Sequence, residues 1–95
     1  MFARVSTYKT APDSITTPSD DVVARVLEVP GCLGIYYLNG KDADKALSIT
    51  LWDTEDALTA SQETANRIRS ETSATQNTEI LDVEEFEVTT NALKA

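Results

Sequence analysis

The sequence predicts an α+β fold: a four-stranded antiparallel sheet with two helices on one face, in the order βαββαβ. Three observations carry this. Pro30 to Leu58 reads as a strand, a polar turn, a second strand and a helix start. A strand pattern followed by a helix precedes that stretch, and a helix stripe followed by a strand pattern completes it. Neither central strand bears a charge within its apolar run, so neither face of the central sheet looks solvated.

The first strand runs from about Phe2 to Lys9, and residues 10–16 form a loop. Thr17-Pro18-Ser19-Asp20 begins a helix. Either Thr17 is the N-cap with Pro18 at the first helical position, or Ser19 is the cap; Asp20 and Asp21 then face the positive end of the dipole. Val22, Val23, Val26 and Leu27 form its apolar stripe, and Pro30-Gly31 ends it. Cys32 to Leu38 and Ala46 to Trp52 are the hairpin strands, joined by the turn-rich segment Asn39 to Lys45. The second helix starts at Asp53 or Thr54, with Ala57, Leu58, Ser61, Ala65 and Ile68 on one face and Arg67 and Arg69 near its C-terminal end. Ser70 to Thr78 reads as a polar loop. The last strand, Glu79 to Thr90, changes phase between Val83 and Phe86, which predicts a bulge or sharp twist near Glu84 and Glu85. Residues 91–95 are a frayed tail on a single domain spanning 1–95. This order is that of the ferredoxin-like split unit.

Period two in the third strand sets Leu47, Ile49 and Leu51 against Ala46, Ser48, Thr50 and Trp52. An uncovered apolar face of several hundred Å² is unusual on a soluble monomer, so a two-fold homodimer with sheets stacked face to face is expected. The aliphatic set suits that contact, because it buries no hydroxyl needing a partner. Leu47, Ile49 and Leu51 are therefore placed toward the partner, and Trp52 toward the helices beside Leu58 and Ser61.

Eight basic against sixteen acidic residues give a net charge of −8, which opposes nucleic acid and anionic membranes. No apolar run approaches the ~20 residues that span a bilayer. The chain enters a strand pattern at Phe2 without a signal-peptide pattern, and a cytoplasmic location is expected. Cys32 is the only cysteine, and histidine is absent. Histidine-ligated metal or haem sites and histidine-dependent triads are thereby removed, as are thiolate zinc and iron–sulfur sites. Gly31, Gly34 and Gly40 form neither a dinucleotide fingerprint nor a phosphate loop. No metal and no cofactor is expected; the acidic groups Asp42/Asp44, Asp53/Glu55/Asp56 and Glu84/Glu85 each have a structural role in a turn, a helix start or a strand.

The opening strand Phe2-Ala3-Arg4-Val5-Ser6-Thr7-Tyr8, the turn Pro30-Gly31-x-x-Gly34, and Ser48-Ile49-Thr50-Leu51-Trp52-Asp53-Thr54-Glu55-Asp56-Ala57-Leu58 resemble the antibiotic-biosynthesis-monooxygenase family of dimeric α+β barrels. The resemblance covers nearly the whole chain in element order and length. It implies a homodimer with a ligand cavity between sheet and helices, and a family that includes cofactor-free monooxygenases of polycyclic phenols and haem-degrading enzymes. The haem-degrading branch uses an asparagine in the first strand, the tryptophan after the third and a histidine on the second helix. Here Trp52 alone matches, which argues against haem degradation.

The candidate ligand residues are Trp52, Thr50, Ser48, Arg4, Ser6, Tyr8, Tyr36, Leu58 and Ser61. Trp52 is either the wall against which a flat substrate stacks or core filling at the strand–helix junction. Arg4, Ser6 and Tyr8 share one strand face, either as a polar strip in which Arg4 holds a phenolate or carboxylate, or as a solvated or ion-paired edge. Tyr36 and Tyr37 point to opposite faces, so one tyrosine meets each side. Cys32 is a small hydrophobe rather than a nucleophile. The expected function is a small-molecule-binding homodimer resembling cofactor-independent monooxygenases of flat phenolic substrates. The alternative is a non-catalytic or stress-related dimer of the same fold, and beyond it a purely structural module. The general base of an oxygenase reading is unassigned: a carboxylate, a tyrosinate or water. An enclosed volume of roughly 300 Å³ or more beside Trp52 marks a ligand site, and a filled core marks packing.

Overall fold

The protein is described over residues 1–94 by a computed structural model. Its elements are β1 (Phe2–Lys9), α1 (Asp20–Leu27), β2 (Cys32–Asn39), β3 (Lys45–Trp52), α2 (Glu55–Ala60), α3 (Gln62–Gln76) and β4 (Glu79–Glu87). The strands form one antiparallel sheet in the order β2-β3-β1-β4, the ferredoxin-like arrangement. Of the predicted tail, residues 91–94 carry no regular structure, and Ala95 lies outside the described residues.

β1 and β3 pair without interruption from Phe2↔Trp52 to Lys9↔Lys45. Residues opposite one another share a face, so this register puts Arg4 beside Thr50, Ser6 beside Ser48 and Tyr8 beside Ala46, all toward the helices. Val5, Thr7, Leu47, Ile49 and Leu51 point the other way with Tyr36 and Leu38 of β2, and Phe86 of β4. No helix among the described residues covers that outer face: Tyr36, Leu38 and Phe86 are exposed, and Leu47, Ile49 and Leu51 are half-buried. The face assignment for β3 thus follows its period-two alternation.

α1 is capped by Ser19, whose Oγ accepts from the Val22 N–H at 3.3 Å. The alternative with Thr17 as cap is not adopted. Beyond the helix, Gly31 takes a positive φ of 84°. Its carbonyl accepts the Asp53 N–H at 3.0 Å, which ties the turn before β2 to the start of α2. A Cβ at this position would stand 2.4 Å from Ala57 Cβ, so backbone conformation and close approach both require glycine.

The second predicted helix is two helices. Thr54 caps α2, accepting from the Ala57 N–H at 3.0 Å; at Ser61 the axis breaks, and the Ser61 hydroxyl donates to the Leu58 carbonyl at 2.8 Å. α3 then continues to Gln76, so the loop predicted for Ser70 to Thr78 is largely helical and Arg69 lies at mid-helix. Ser and Thr favour loops because their hydroxyls compete for backbone partners. Here they bond within the helix instead, Thr72 to the Ile68 carbonyl and Thr75 to the Glu71 carbonyl. Asn77, left-handed at φ 56°, ends it, with the Thr78 N–H on the Ser73 carbonyl at 3.0 Å.

β4 does break register, but not at Glu84 and Glu85. The shift falls between Asp82, opposite Thr7, and Ile80, opposite Tyr8, leaving Leu81 as the extra residue. From Asp82 to Glu87 the ladder is regular. The change from Val83 to Phe86 needs no bulge, because the edge strand places one apolar residue on each face. A second irregularity, at Leu33, lies between Cys32 and Gly34 of β2.

Candidate functional site

Between the sheet and the helices lies a cavity of about 60 Å³. β3 contributes Ser48, Thr50 and Trp52; β1 contributes Arg4, Ser6 and Tyr8; Ile35 and Tyr37 come from β2. Val22 and Val26 of α1 and Ala65, Ile68, Arg69 and Thr72 of α3 close it. The volume takes a few water molecules or a small organic group and falls well short of the roughly 300 Å³ of a preformed drug-sized pocket. A groove of about 360 Å³ between residues 15–25 and the second half of α3 runs beside it, and Val22 and Thr72 line both.

Trp52 is 1% exposed, and its indole N–H donates to Thr50 Oγ1 at 3.0 Å. The Arg4 guanidinium carbon lies 5.4 Å from the indole centroid, within cation–π range. Arg4 is itself 2% exposed and engaged through both terminal nitrogens: it donates to the Leu58 carbonyl at 2.8 Å, to Ser61 Oγ at 3.3 Å and to Glu85 at 3.0 Å. It clamps β1 to the break between α2 and α3 and to β4.

Arg69 reaches the same cavity from α3. Its Nε donates to Ser6 Oγ at 3.0 Å and its Nη1 to Asn66 Oδ1. It is 9% exposed, and no carboxylate among the described residues forms an ion pair with it. Burial lowers its proton affinity, with Tyr8 opposing that effect and nearby Arg4 adding to it.

Tyr8 and Tyr37 stack with centroids 6.1 Å apart; Tyr8 Oη and Ser48 Oγ share a hydrogen bond of 2.9 Å, and the Tyr37 hydroxyl donates to Gln76 Oε1 at 3.2 Å. Desolvation, then the neighbouring Tyr8, pushes the Tyr37 hydroxyl above its ordinary value. Burial likewise raises the Cys32 thiol, against a weaker opposing effect of the Gly34 backbone. Neither group is disposed to act as an anion. Among the described residues no carboxylate lines the cavity; Glu85 meets it only through Arg4. Among the described residues no three His, Cys, Asp or Glu side chains stand together as a metal site.

Seven of the nine candidate residues therefore converge. Trp52, Thr50, Ser48, Arg4, Ser6 and Tyr8 border the cavity, while Ser61 acts behind it through Arg4. Leu58 is buried and holds Arg4 by its carbonyl alone. Tyr36 does not join them: it sits opposite Ile49 on the outer face and is 48% exposed, because alternation along β2 turns Tyr37 inward in its place. Tyr37 and Arg69 are polar lining residues outside the nine candidates. Alternation alone does not say which tyrosine of the pair turns inward, and the helix-end position expected for Arg69 disappears once α3 runs on to Gln76. Ala65, Arg69, Thr72 and Gln76 are spaced along one helical face, a signal legible only when the polar segment is taken as helix.

Fold and site together define a ferredoxin-like α+β protein with a cavity between its sheet and its helices. Residues 1–69 match the family model for antibiotic biosynthesis monooxygenases, and the chain belongs to that family. The match takes in the first six elements as far as Arg69. A proposed antibiotic biosynthesis monooxygenase of Deinococcus radiodurans shares the fold with a TM-score of 0.60 at 14% identity, covering 100% of this chain and 98% of that one. One of Chloroflexus aurantiacus gives 0.54 at 17% identity, covering 98% of each chain. No protein of curated function matches the sequence. No helix among the described residues is long and apolar enough to cross a membrane.

Proposed function

We propose that this chain is a small-molecule-binding homodimer that admits a flat aromatic ligand beside Trp52 and oxygenates it without a cofactor. The convergence of one indole, two buried guanidinia and five hydroxyl-bearing strand residues on a single cavity supports the reading, in a chain of this family. In the reaction a carbanion alpha to a phenolic ring reduces O₂ directly. A methylene becomes a carbonyl, one oxygen atom enters the product and the other leaves as water. The protein's part is a dry cavity, a stacking wall and positive charge for the substrate anion.

The cavity must widen to admit such a ligand. α1 is the element to move: none of its residues is buried, and the groove at its N-terminal end already adjoins the cavity through Val22 and Thr72. The homodimer rests on the uncovered outer face, where Leu47, Ile49 and Leu51 sit among exposed Tyr36, Leu38 and Phe86. A second reading, a binder without catalysis, is favoured by the absence of any carboxylate from the lining and by the raised Tyr37 hydroxyl, which leave no evident base.

An anthrone titrated against the protein under an oxygen electrode tests both. Quenching of Trp52 fluorescence with one O₂ taken up per carbonyl formed is the expected result. Quenching without uptake establishes the binder, and neither response refutes the ligand site.

A further inference from the structure

We propose that Arg69 is the anchor for an acidic group on the ligand, so that the cavity selects planar aromatic monoanions, carboxylates or phenolates, over their neutral isosteres. This rests on the ligand-binding reading above and names the class of ligand. The sequence offers Arg4 for that role, but the structure occupies Arg4 with Glu85, the Leu58 carbonyl, Ser61 and the indole face. Arg69 has the neutral hydrogen-bond partners Ser6, Asn66 and Tyr8, and Glu85 attracts it from beyond ion-pair distance.

A charged group removed from water is retained at high cost unless it is paired, and paired guanidinium is the usual buried form. The cavity holds two guanidinia, at 2% and 9% exposure, against the single carboxylate of Glu85. One positive charge is left over, in a chain whose net charge is −8 and which has acidic residues in surplus. The planar donor fork of arginine matches a carboxylate in two-point contact, which none of the present partners of Arg69 supplies. A bound monoanion balances the charge, while Trp52 and Ile35 offer its ring an apolar seat. A substrate held as its phenolate also needs less help from a protein base, which fits a lining without a carboxylate.

The test uses benzoate and benzamide, matched in shape and differing in charge. Trp52 is the only tryptophan, so its fluorescence reports this cavity. The wild-type protein is expected to bind benzoate at least about tenfold more tightly than benzamide, as charge-assisted bonds exceed neutral ones. Arg69→Gln is expected to reduce the benzoate-to-benzamide affinity ratio to about one, and Arg69→Lys to restore part of it. Equal affinity for the two probes in the wild-type protein overturns the anchor and leaves the ligand cavity standing; so does an Arg69→Gln protein that keeps the full preference. Binding of neither probe overturns both. The wild-type comparison stands even where Arg69→Gln fails to fold.

Discussion

Replacing Gly31 with alanine should lower stability by about 1–3 kcal/mol, and the structure says which of three effects decides the sign. Alanine loses less backbone entropy on folding than glycine, a gain of roughly 0.4–1 kcal/mol. Holding an L-residue at the observed φ of 84° costs roughly 1–2 kcal/mol and about cancels that gain. What remains is the new methyl, 2.4 Å from Ala57 Cβ and 2.8 Å from Asp53 Oδ1. The Asp53 carboxylate can swing away. Ala57 cannot, because its Cβ rides on the first turn of α2, which Thr54 caps and Leu58 ties to Arg4. Ordinary contact is about 3.5–4.0 Å, so α2 must shift by more than an ångström, an overpacking cost of roughly 1–3 kcal/mol. At about 4–8 °C per kcal/mol, the melting temperature should fall by roughly 5–20 °C. Thermal melts at one fixed protein concentration, followed by Trp52 fluorescence and far-ultraviolet circular dichroism, measure it. Gly31→Asn separates the causes: asparagine tolerates positive φ but carries the same Cβ, so it should be nearly as harmful as alanine. An asparagine variant close to wild type would mean that backbone conformation, not the collision with α2, governs this position.

Three other outcomes are expected. Sedimentation equilibrium at micromolar concentration should give a dimer, and Ile49→Asp, at the centre of the outer face, should shift it to the 10.4 kDa monomer; a wild-type monomer would refute the assembly. Glu85→Gln should cost about 1–2 kcal/mol in urea denaturation, less than the roughly 3–5 kcal/mol of a fully buried pair, because Glu85 is 40% exposed; an unchanged midpoint would mean that Arg4 is held by Leu58 and Ser61 alone. Stability should decline as pH rises above about 9: Cys32 and Tyr37 have folded-state values raised above the ordinary 9.0 and 10.0, so the unfolded chain ionises first and their contribution is lost on passing through the folded values. Cys32→Ser with Tyr37→Phe should flatten that decline, and a double variant with the same alkaline slope would show that other groups cause it.

The sheet was legible because β3 alternates a wholly aliphatic set with a hydroxyl-and-indole set, and two such different faces fix which side each residue takes. The pocket residues of β1 followed, since register with β3 carries Arg4, Ser6 and Tyr8 to the same side. α3 was only half legible. Its second half, Ser70 to Gln76, carries no apolar stripe, and its helicity rests on hydroxyls bonding back to their own helix and on Asn77 turning left-handed at the end. Arg69 was lost with it, as its role depends on standing at mid-helix. The partners of Arg4 were also beyond reach, because Ser61 and Glu85 lie 57 and 81 positions away along the chain and meet it only after the sheet closes. The site of the β4 irregularity is not legible for a different reason: parity in an edge strand records the polarity of two exposed faces, not the position of an inserted residue.

The two irregular strands are both edges of the sheet: β2 shifts register at Leu33 and β4 at Leu81, while β1 and β3 between them pair without a break. An unpaired strand offers a ready row of backbone donors and acceptors to any other extended chain, the starting point of fibrillar aggregation. Here each such row is kinked by one extra residue, and β4 adds Glu79, Asp82, Glu84, Glu85 and Glu87, so a second β4 laid alongside would be repelled along most of its length. Sheet growth by strand addition is thereby opposed at both margins, while the broad outer face stays open. Open-ended polymers built by strand addition are disfavoured.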